Sequence, residues 1–127
     1  MKKILLTGAL GQLGRAIRRE YEGAADFILT DMADAGGIKK LDISDESQVM
    51  EAVSESRPDL IINCAAYTNV DGCEKNEELA FAANATGPGN LAKAAAGAGA
   101  GLVHISTDYV FRGDGPRPYV ETDVPDP

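Results

Sequence analysis

Three regularly spaced glycines carry the clearest chemical signal in this sequence. Gly8, Gly11 and Gly14 lie between an apolar run and a segment with helical periodicity. The first allows a tight turn, the second lets backbone approach a pyrophosphate, and the third lets the helix pack closely on the strand. The free N–H groups that begin the helix would then face the phosphates. The spacing therefore predicts a dinucleotide-binding turn, with a purely structural turn as the alternative.

An acidic residue closes the second apolar run. Asp31 follows Phe27–Thr30, about 20 residues past the glycines, where a carboxylate can accept hydrogen bonds from the hydroxyls of an adenosine ribose. Because a carboxylate would repel a 2′-phosphate, NADH is favoured over NADPH, while a role for Asp31 as a turn former or helix cap stays open. Asp42 and Ile43 follow the third run at the height of an adenine. Their alternatives are a turn residue and a core residue.

Small and polar residues follow the fourth and fifth apolar runs. Open α/β sheets bind ligands at the carboxyl ends of their strands. After the fourth run, Cys64–Thr68 offers small residues against which a cofactor could lie. After the fifth run, Ser106–Phe111 brings hydroxyls and a carboxylate together. The plain alternative for Thr107 and Asp108 is a turn cap.

The elements that would position these residues alternate between strands and helices. Apolar runs predict five strands, at Lys3–Thr7, Asp26–Thr30, Ile38–Leu41, Asp59–Asn63 and Gly101–Ser106. Helical periodicity predicts helices at Gly11–Glu22, Asp45–Ser56 and Glu77–Ala98, the last either kinked or split at Pro88. Right-handed crossovers then give an α/β fold with a doubly wound, Rossmann-like parallel sheet in the order 3-2-1-4-5.

Charge and composition exclude several other classes. The chain has 12 Lys and Arg against 20 Asp and Glu, a net charge of −8, so a nucleic acid partner is not expected. The two cysteines, Cys64 and Cys73, fit neither a metal pair nor a disulfide framework, which favours a cytoplasmic location. No apolar stretch reaches the ~18 residues of a membrane span, so no membrane partner is expected. The only histidine, His104, is predicted to lie within the fifth strand without a catalytic role.

Four segments together resemble the extended short-chain dehydrogenase/reductases. These are TGALGQLG at 7–14, NCAAYT at 63–68, NATG at 84–87 and HISTDYVF at 104–111. The first is general to the family, whereas STDYVF at 106–111 is similar to the reductases of dTDP-linked 4-keto-6-deoxy sugars. The resemblance implies an oxidoreductase that uses NADH or NADPH, acts on a dTDP-sugar as the full-length protein, and associates as a homodimer.

The resemblance also implies roles for individual residues. It implies cofactor contacts at Gly8, Gly11, Gln12, Leu13, Gly14, Asp31, Asp42, Ile43, Ala65, Ala66, Tyr67 and Thr68. It implies that the Thr107 hydroxyl hydrogen-bonds the substrate's 4-keto oxygen, a catalytic role, and that Asp108 lies beside it in the sugar site. No metal is implied.

One element of the family's chemistry is missing from these 127 residues. The family's proton donor is a Tyr with a Lys four residues later, and none of Tyr21, Tyr67, Tyr109 and Tyr119 has such a Lys. We therefore expect residues 1–127 to be an NAD(P)-binding Rossmann domain that is truncated relative to the family, lacks the substrate-binding part and is inactive alone. Two alternatives stay open: a non-catalytic regulatory protein like the regulatory subunit of methionine adenosyltransferase, and an epimerase or dehydratase of the same family.

Overall fold

A computed structural model describes residues 1–127. The strands are β1 (Lys2–Thr7), β2 (Ala25–Asp31), β3 (Lys39–Lys40), β4 (Leu60–Asn63) and β5 (Gly101–His104). The helices are α1 (Gln12–Glu20), α2 (Glu46–Ser56), α3 (Val70–Lys75), α4 (Glu77–Phe81) and α5 (Gly87–Ala98). A π-helical turn, Ala82–Thr86, joins α4 to α5, and a short 3-10 turn, Asp108–Val110, follows β5. None of these helices has both the length and the apolar character needed to cross a membrane.

The strands form one parallel sheet in the order β3-β2-β1-β4-β5, which confirms the predicted topology. At its centre Leu5 of β1 pairs with Ile28 on one side and with Ile61 on the other. Leu5 and Ile61 are fully buried, as expected of central parallel strands that helices cover on both faces. The carboxyl end of β1 is therefore held between two neighbouring strands.

Apolar side chains cover both faces of the sheet. The larger cluster joins Leu5 and Ile61 to Val49 and Val53 of α2 and to Leu91 of α5. The smaller cluster, on the opposite face, is centred on Leu6, Ala9 and Ile38, with Ile17 of α1 packed against it. Burial on both faces fixes the strand ends from which the candidate site loops emerge.

The main differences from the sequence-based predictions are two shorter strands and one additional helix. The third strand is reduced to two residues, and β5 ends at His104 instead of Ser106. Helix α3 was not predicted, because its six residues have no apolar periodicity and include Gly72. A local cap supports it instead, since the Asn69 side chain accepts a hydrogen bond from the Gly72 N–H at 2.9 Å.

The helical segment near Pro88 is continuous and contains a widened turn. Pro88 lies in the first turn of α5 and has no N–H to donate to the preceding helical turn. The proline ring would crowd the carbonyl of Asn84, four residues earlier, and the π-helical turn lies at that point. The interruption predicted near Pro88 is present as a π turn that leads directly into α5.

Candidate functional site

The turn after β1 depends on glycine at two positions. Gly8 has a φ of +63°, and a Cβ there would lie 2.6 Å from the backbone nitrogen of Ala65. The turn therefore packs backbone against backbone on the loop after β4, and only glycine permits both features. A Cβ at Gly14 would overlap the carbonyl oxygen of Gly8 and lie 2.9 Å from the Cα of Ala9. The close packing of helix on strand that the spacing predicts is present.

The middle glycine begins α1 and leaves its first N–H groups free. Gly11 is the N-cap, and its carbonyl accepts from the Arg15 N–H at 3.0 Å. The N–H groups of Gln12, Leu13 and Gly14 donate to no backbone carbonyl. With no Cβ at Gly11, an anion can approach these donors and the positive end of the helix dipole.

Asp31, the last residue of β2, is tied to the glycine turn. Its Oδ2 accepts a hydrogen bond from the Leu10 N–H at 2.9 Å, and its Oδ1 accepts from the Met32 N–H at 2.8 Å. These bonds fit the turn-forming alternative, and each carboxylate oxygen keeps a lone pair for a further donor. The ribose role of Asp31 stays a prediction, at a carboxylate held beside the glycine turn.

Asp42 and Ile43 take the simpler of their two predicted roles. Asp42 Oδ1 accepts from the N–H and the hydroxyl of Ser44, at 2.9 and 2.7 Å, which makes a turn before α2. The Ile43 side chain is buried in the core, and its carbonyl accepts from Asn90 Nδ2 at 2.9 Å. Contact of either residue with an adenine stays a prediction.

A buried amide at the end of β4 joins three strands. Asn63 is 2% exposed, and its Oδ1 accepts from the Thr7 hydroxyl at 2.6 Å and from the Ala65 N–H at 3.1 Å. Its Nδ2 is 3.0 Å from Nδ1 of His104. His104 is the last residue of β5, so it lies at the carboxyl edge of the sheet and not in the middle of the strand, where the sequence analysis had placed it. Asn63 was not predicted as a site residue, although a polar residue that ends a buried apolar run signals such a position.

A second asparagine holds the loop after β4. The Tyr67 N–H donates to Asn84 Oδ1 at 2.8 Å, and Asn84 Nδ2 donates to the Tyr67 carbonyl at 2.9 Å. Asn84 lies in the π-helical turn, a feature found often at functional sites. The exposed residues Ala66 and Thr68 are thereby fixed in place on either side of Tyr67. Sequence reasoning did not give Asn84 this contact, because it joins positions distant in the chain.

The cysteine in this loop has no reactive environment. Cys64 is half-buried, and burial raises the pKa of its thiol. A raised pKa disfavours the nucleophilic thiolate. Cys64 instead packs as a small apolar residue against the cluster of Leu6, Ala9 and Ile38.

Thr107 and Asp108 lie on an exposed turn after β5. Thr107 Oγ1 accepts from the Tyr109 N–H at 3.2 Å, and its hydroxyl donates to Asp108 Oδ1 at 3.3 Å. Thr107 thus caps the 3-10 turn, which is the plain alternative of the sequence analysis. A role in substrate binding stays a prediction, since β5 lies two strands from β1 and Thr107 makes no hydrogen bond to the glycine turn.

The sheet order and the glycine turn at the end of β1 define a Rossmann-like domain of the short-chain dehydrogenase/reductase type. The family model described as RmlD substrate binding domain matches residues 1–127, and the chain belongs to this family.

Individual relatives agree with this assignment. The chain is 44% identical over 128 residues to a dTDP-4-dehydrorhamnose reductase of Mycobacterium tuberculosis, covering 96% of this chain and 39% of that protein. It is 42% identical over 126 residues to the Escherichia coli dTDP-4-dehydrorhamnose reductase, covering 98% of this chain and 41% of that protein. The resemblance seen in the sequence is confirmed, and the chain spans about two fifths of the length of these curated relatives.

Two solved structures extend the similarity to the fold. A Clostridium acetobutylicum dTDP-4-dehydrorhamnose reductase is 47% identical with a TM-score of 0.90, covering 98% of this chain and 43% of that chain. A Bacillus anthracis dTDP-4-dehydrorhamnose reductase in complex with NADP is 45% identical with a TM-score of 0.91, covering 100% of this chain and 44% of that chain. The predicted Rossmann-like fold is confirmed.

Proposed function

We propose that residues 1–127 bind a nicotinamide adenine dinucleotide, as the cofactor-binding part of an NAD(P)H-dependent reductase of a dTDP-linked 4-keto-6-deoxy sugar. The observation that carries this proposal is the set of free N–H groups at the start of α1, above a glycine that has no side chain to block them. The Bacillus anthracis relative, which was solved with NADP, supports the same cofactor class.

The residues present fit the adenosine and pyrophosphate parts of such a cofactor. The N–H groups of Gln12, Leu13 and Gly14 would hold the pyrophosphate, because nothing in the chain accepts from them. The Asp31 carboxylate would accept from the ribose hydroxyls and favour NADH. Asp42 and Ile43 would lie beside the adenine. Asp42 would approach it from the turn that it forms, and Ile43 would approach it with its backbone.

The loop after β4 would hold the nicotinamide end. A bound reduced nicotinamide supplies a hydride for transfer to a carbonyl carbon. Ala65 and Ala66 have small side chains that leave room against the backbone, and Tyr67 and Thr68 continue the same surface. Asn84 keeps this surface fixed because it bonds both backbone groups of Tyr67.

Thr107 would polarise the substrate carbonyl. Its hydroxyl now donates to Asp108, and rotation about one bond redirects that proton to a carbonyl oxygen. A donor at that oxygen stabilises negative charge that develops as hydride arrives. Asp108 would then be free to accept from a sugar hydroxyl. Protonation of the product oxygen needs a general acid, and residues 1–127 contain no Tyr with a Lys four residues later.

Titration of the chain with NADH, followed by nicotinamide fluorescence, tests the proposal. Gly11→Ala should lower the affinity at least about tenfold, because the added Cβ displaces the phosphates from the N–H groups. Gly97→Ala, with open space around its Cβ position, is the matched control and should bind as the wild type does. Absence of saturable binding to a folded wild-type sample would refute the proposal. The cytoplasmic location and the homodimer stay predictions.

A further inference from the structure

Three polar side chains end three neighbouring strands of the sheet. Thr7 ends β1, Asn63 ends β4 and His104 ends β5. The strand register pairs Thr7 with Asn63, and Asn63 with His104. Their side chains form one line of hydrogen bonds across the carboxyl edge, because Asn63 bonds the Thr7 hydroxyl through Oδ1 and His104 Nδ1 through Nδ2. We call these three residues the edge network.

The Asn63 amide can take only one orientation in the edge network. The Ala65 N–H can only donate, so the amide atom that lies 3.1 Å from it has to be the oxygen, Oδ1. The donor Nδ2 then faces His104, and its one hydrogen bond is the bond to Nδ1 at 3.0 Å. Asn63 is 2% exposed, so water cannot readily replace a lost partner. His104 Nδ1 therefore has to supply a lone pair.

This requirement fixes the state of the histidine ring. A neutral imidazole carries one proton, and with Nδ1 as the acceptor that proton lies on Nε2. A proton on Nδ1 would set two donors against each other and would turn the Asn63 amide away from the Ala65 N–H. The His104 residue is exposed, so packing in the core does not account for its place at the end of β5.

We propose that His104 is a positioning residue for the nicotinamide end of the cofactor site. This inference rests on the proposed function. His104 holds the Asn63 amide, Asn63 Oδ1 holds the Ala65 N–H, and Ala65 begins the surface against which the nicotinamide would lie. The pyrophosphate and the adenosine depend instead on the start of α1 and on Asp31, to which His104 makes no hydrogen bond. Loss of the His104 acceptor therefore loosens the loop after β4 and leaves the other contacts in place.

Calorimetric titration with NADH and with ADP-ribose tests this role, because the two ligands differ at the nicotinamide. His104→Leu removes the acceptor and should weaken NADH about threefold to tenfold, as one hydrogen bond implies, and ADP-ribose less than about twofold. His104→Asn places an oxygen near the position of Nδ1 and should restore the wild-type affinity for NADH. Val103→Thr is the matched control and should change neither affinity, because Val103 is partly exposed on the opposite face of β5.

The tautomer of His104 is a second readout, which a merely structural side chain would not fix. His104 is the only histidine, so its ring signals in heteronuclear NMR spectra are unambiguous. At mildly alkaline pH the proton should lie wholly on Nε2, whereas an unrestrained imidazole populates both tautomers.

A ring proton on Nδ1 would overturn the inference. So would equal losses of NADH and ADP-ribose binding in His104→Leu, no loss for either ligand, or failure of His104→Asn to restore the affinity for NADH. Each of these results would leave the proposed function standing. A folded wild-type chain that binds neither ligand would overturn both.

Discussion

Asn63 should be among the most sensitive positions in the chain, and Asn63→Ala tests its role. The substitution removes the acceptor of the Thr7 hydroxyl, which is 1% exposed, and of the Ala65 N–H. A buried donor left without a partner costs about 1–3 kcal/mol. The almost fully buried Thr7 hydroxyl should contribute close to the full penalty, whereas water can partly hydrate the N–H of the half-buried Ala65. We expect the free energy of unfolding to fall by about 3 kcal/mol, with the cavity included.

Urea denaturation followed by circular dichroism measures this change. Asn76→Ala is the matched control, because the Asn76 side chain makes no capping hydrogen bond, and it should change the free energy of unfolding by less than about 0.5 kcal/mol. Thr7→Val alone should lower the free energy of unfolding by about 1 kcal/mol. In the Asn63→Ala background the same substitution removes the unpaired hydroxyl, so it should cause no further loss. A loss below about 1 kcal/mol for Asn63→Ala, or equal effects of Thr7→Val in both backgrounds, would refute this reasoning.

Three further outcomes are expected. Asn84→Ala frees the Tyr67 backbone and should weaken NADH binding several-fold while secondary structure by circular dichroism stays unchanged; unchanged affinity contradicts a positioning role. The hydrogen bond from the Arg117 side chain lowers the pKa of Asp123 in the folded state. The Arg117–Asp123 pair therefore stabilises residues 111–127 at pH values above the pKa of the unfolded carboxyl group. This stabilisation is lost as the pH falls through the pKa of Asp123 in the folded state. Near-ultraviolet circular dichroism of the stacked aromatic pair in that segment should follow this acid transition, and Asp123→Asn should abolish it. Residues 1–127 alone should reduce no dTDP-4-keto sugar, and turnover that Thr107→Ala abolishes would disprove this.

The glycine turn was predictable because its requirements are local. The strand–turn–helix unit leaves little room for a side chain at Gly8, Gly11 or Gly14. The structure shows other backbone atoms packed closely against Gly8 and Gly14. The strand order followed from apolar run lengths and crossover handedness, neither of which needs side-chain detail. Sequence therefore sufficed for the sheet and for the turn that emerges from its centre.

The remaining features depend on contacts between distant parts of the chain. Asn84 is joined to Tyr67 across 17 positions, and Asn63 to His104 across 41 positions. Helix α3 is supported by the Asn69 side chain and not by an apolar stripe. No periodicity encodes such bonds, because a single polar side chain supplies each of them. Their prediction requires the tertiary arrangement that brings the partners together.

The approach of Gly8 to Ala65 sets the width of the candidate site. Because the two segments meet through backbone atoms, with 2.6 Å between a hypothetical Gly8 Cβ and the Ala65 nitrogen, their separation cannot be tuned by exchanging side chains. Substitutions elsewhere in the site can change its charge or its hydrogen bonds while this spacing persists. Chains that share this turn and this loop can therefore differ in ligand preference while the turn and the loop stay at the same distance from each other.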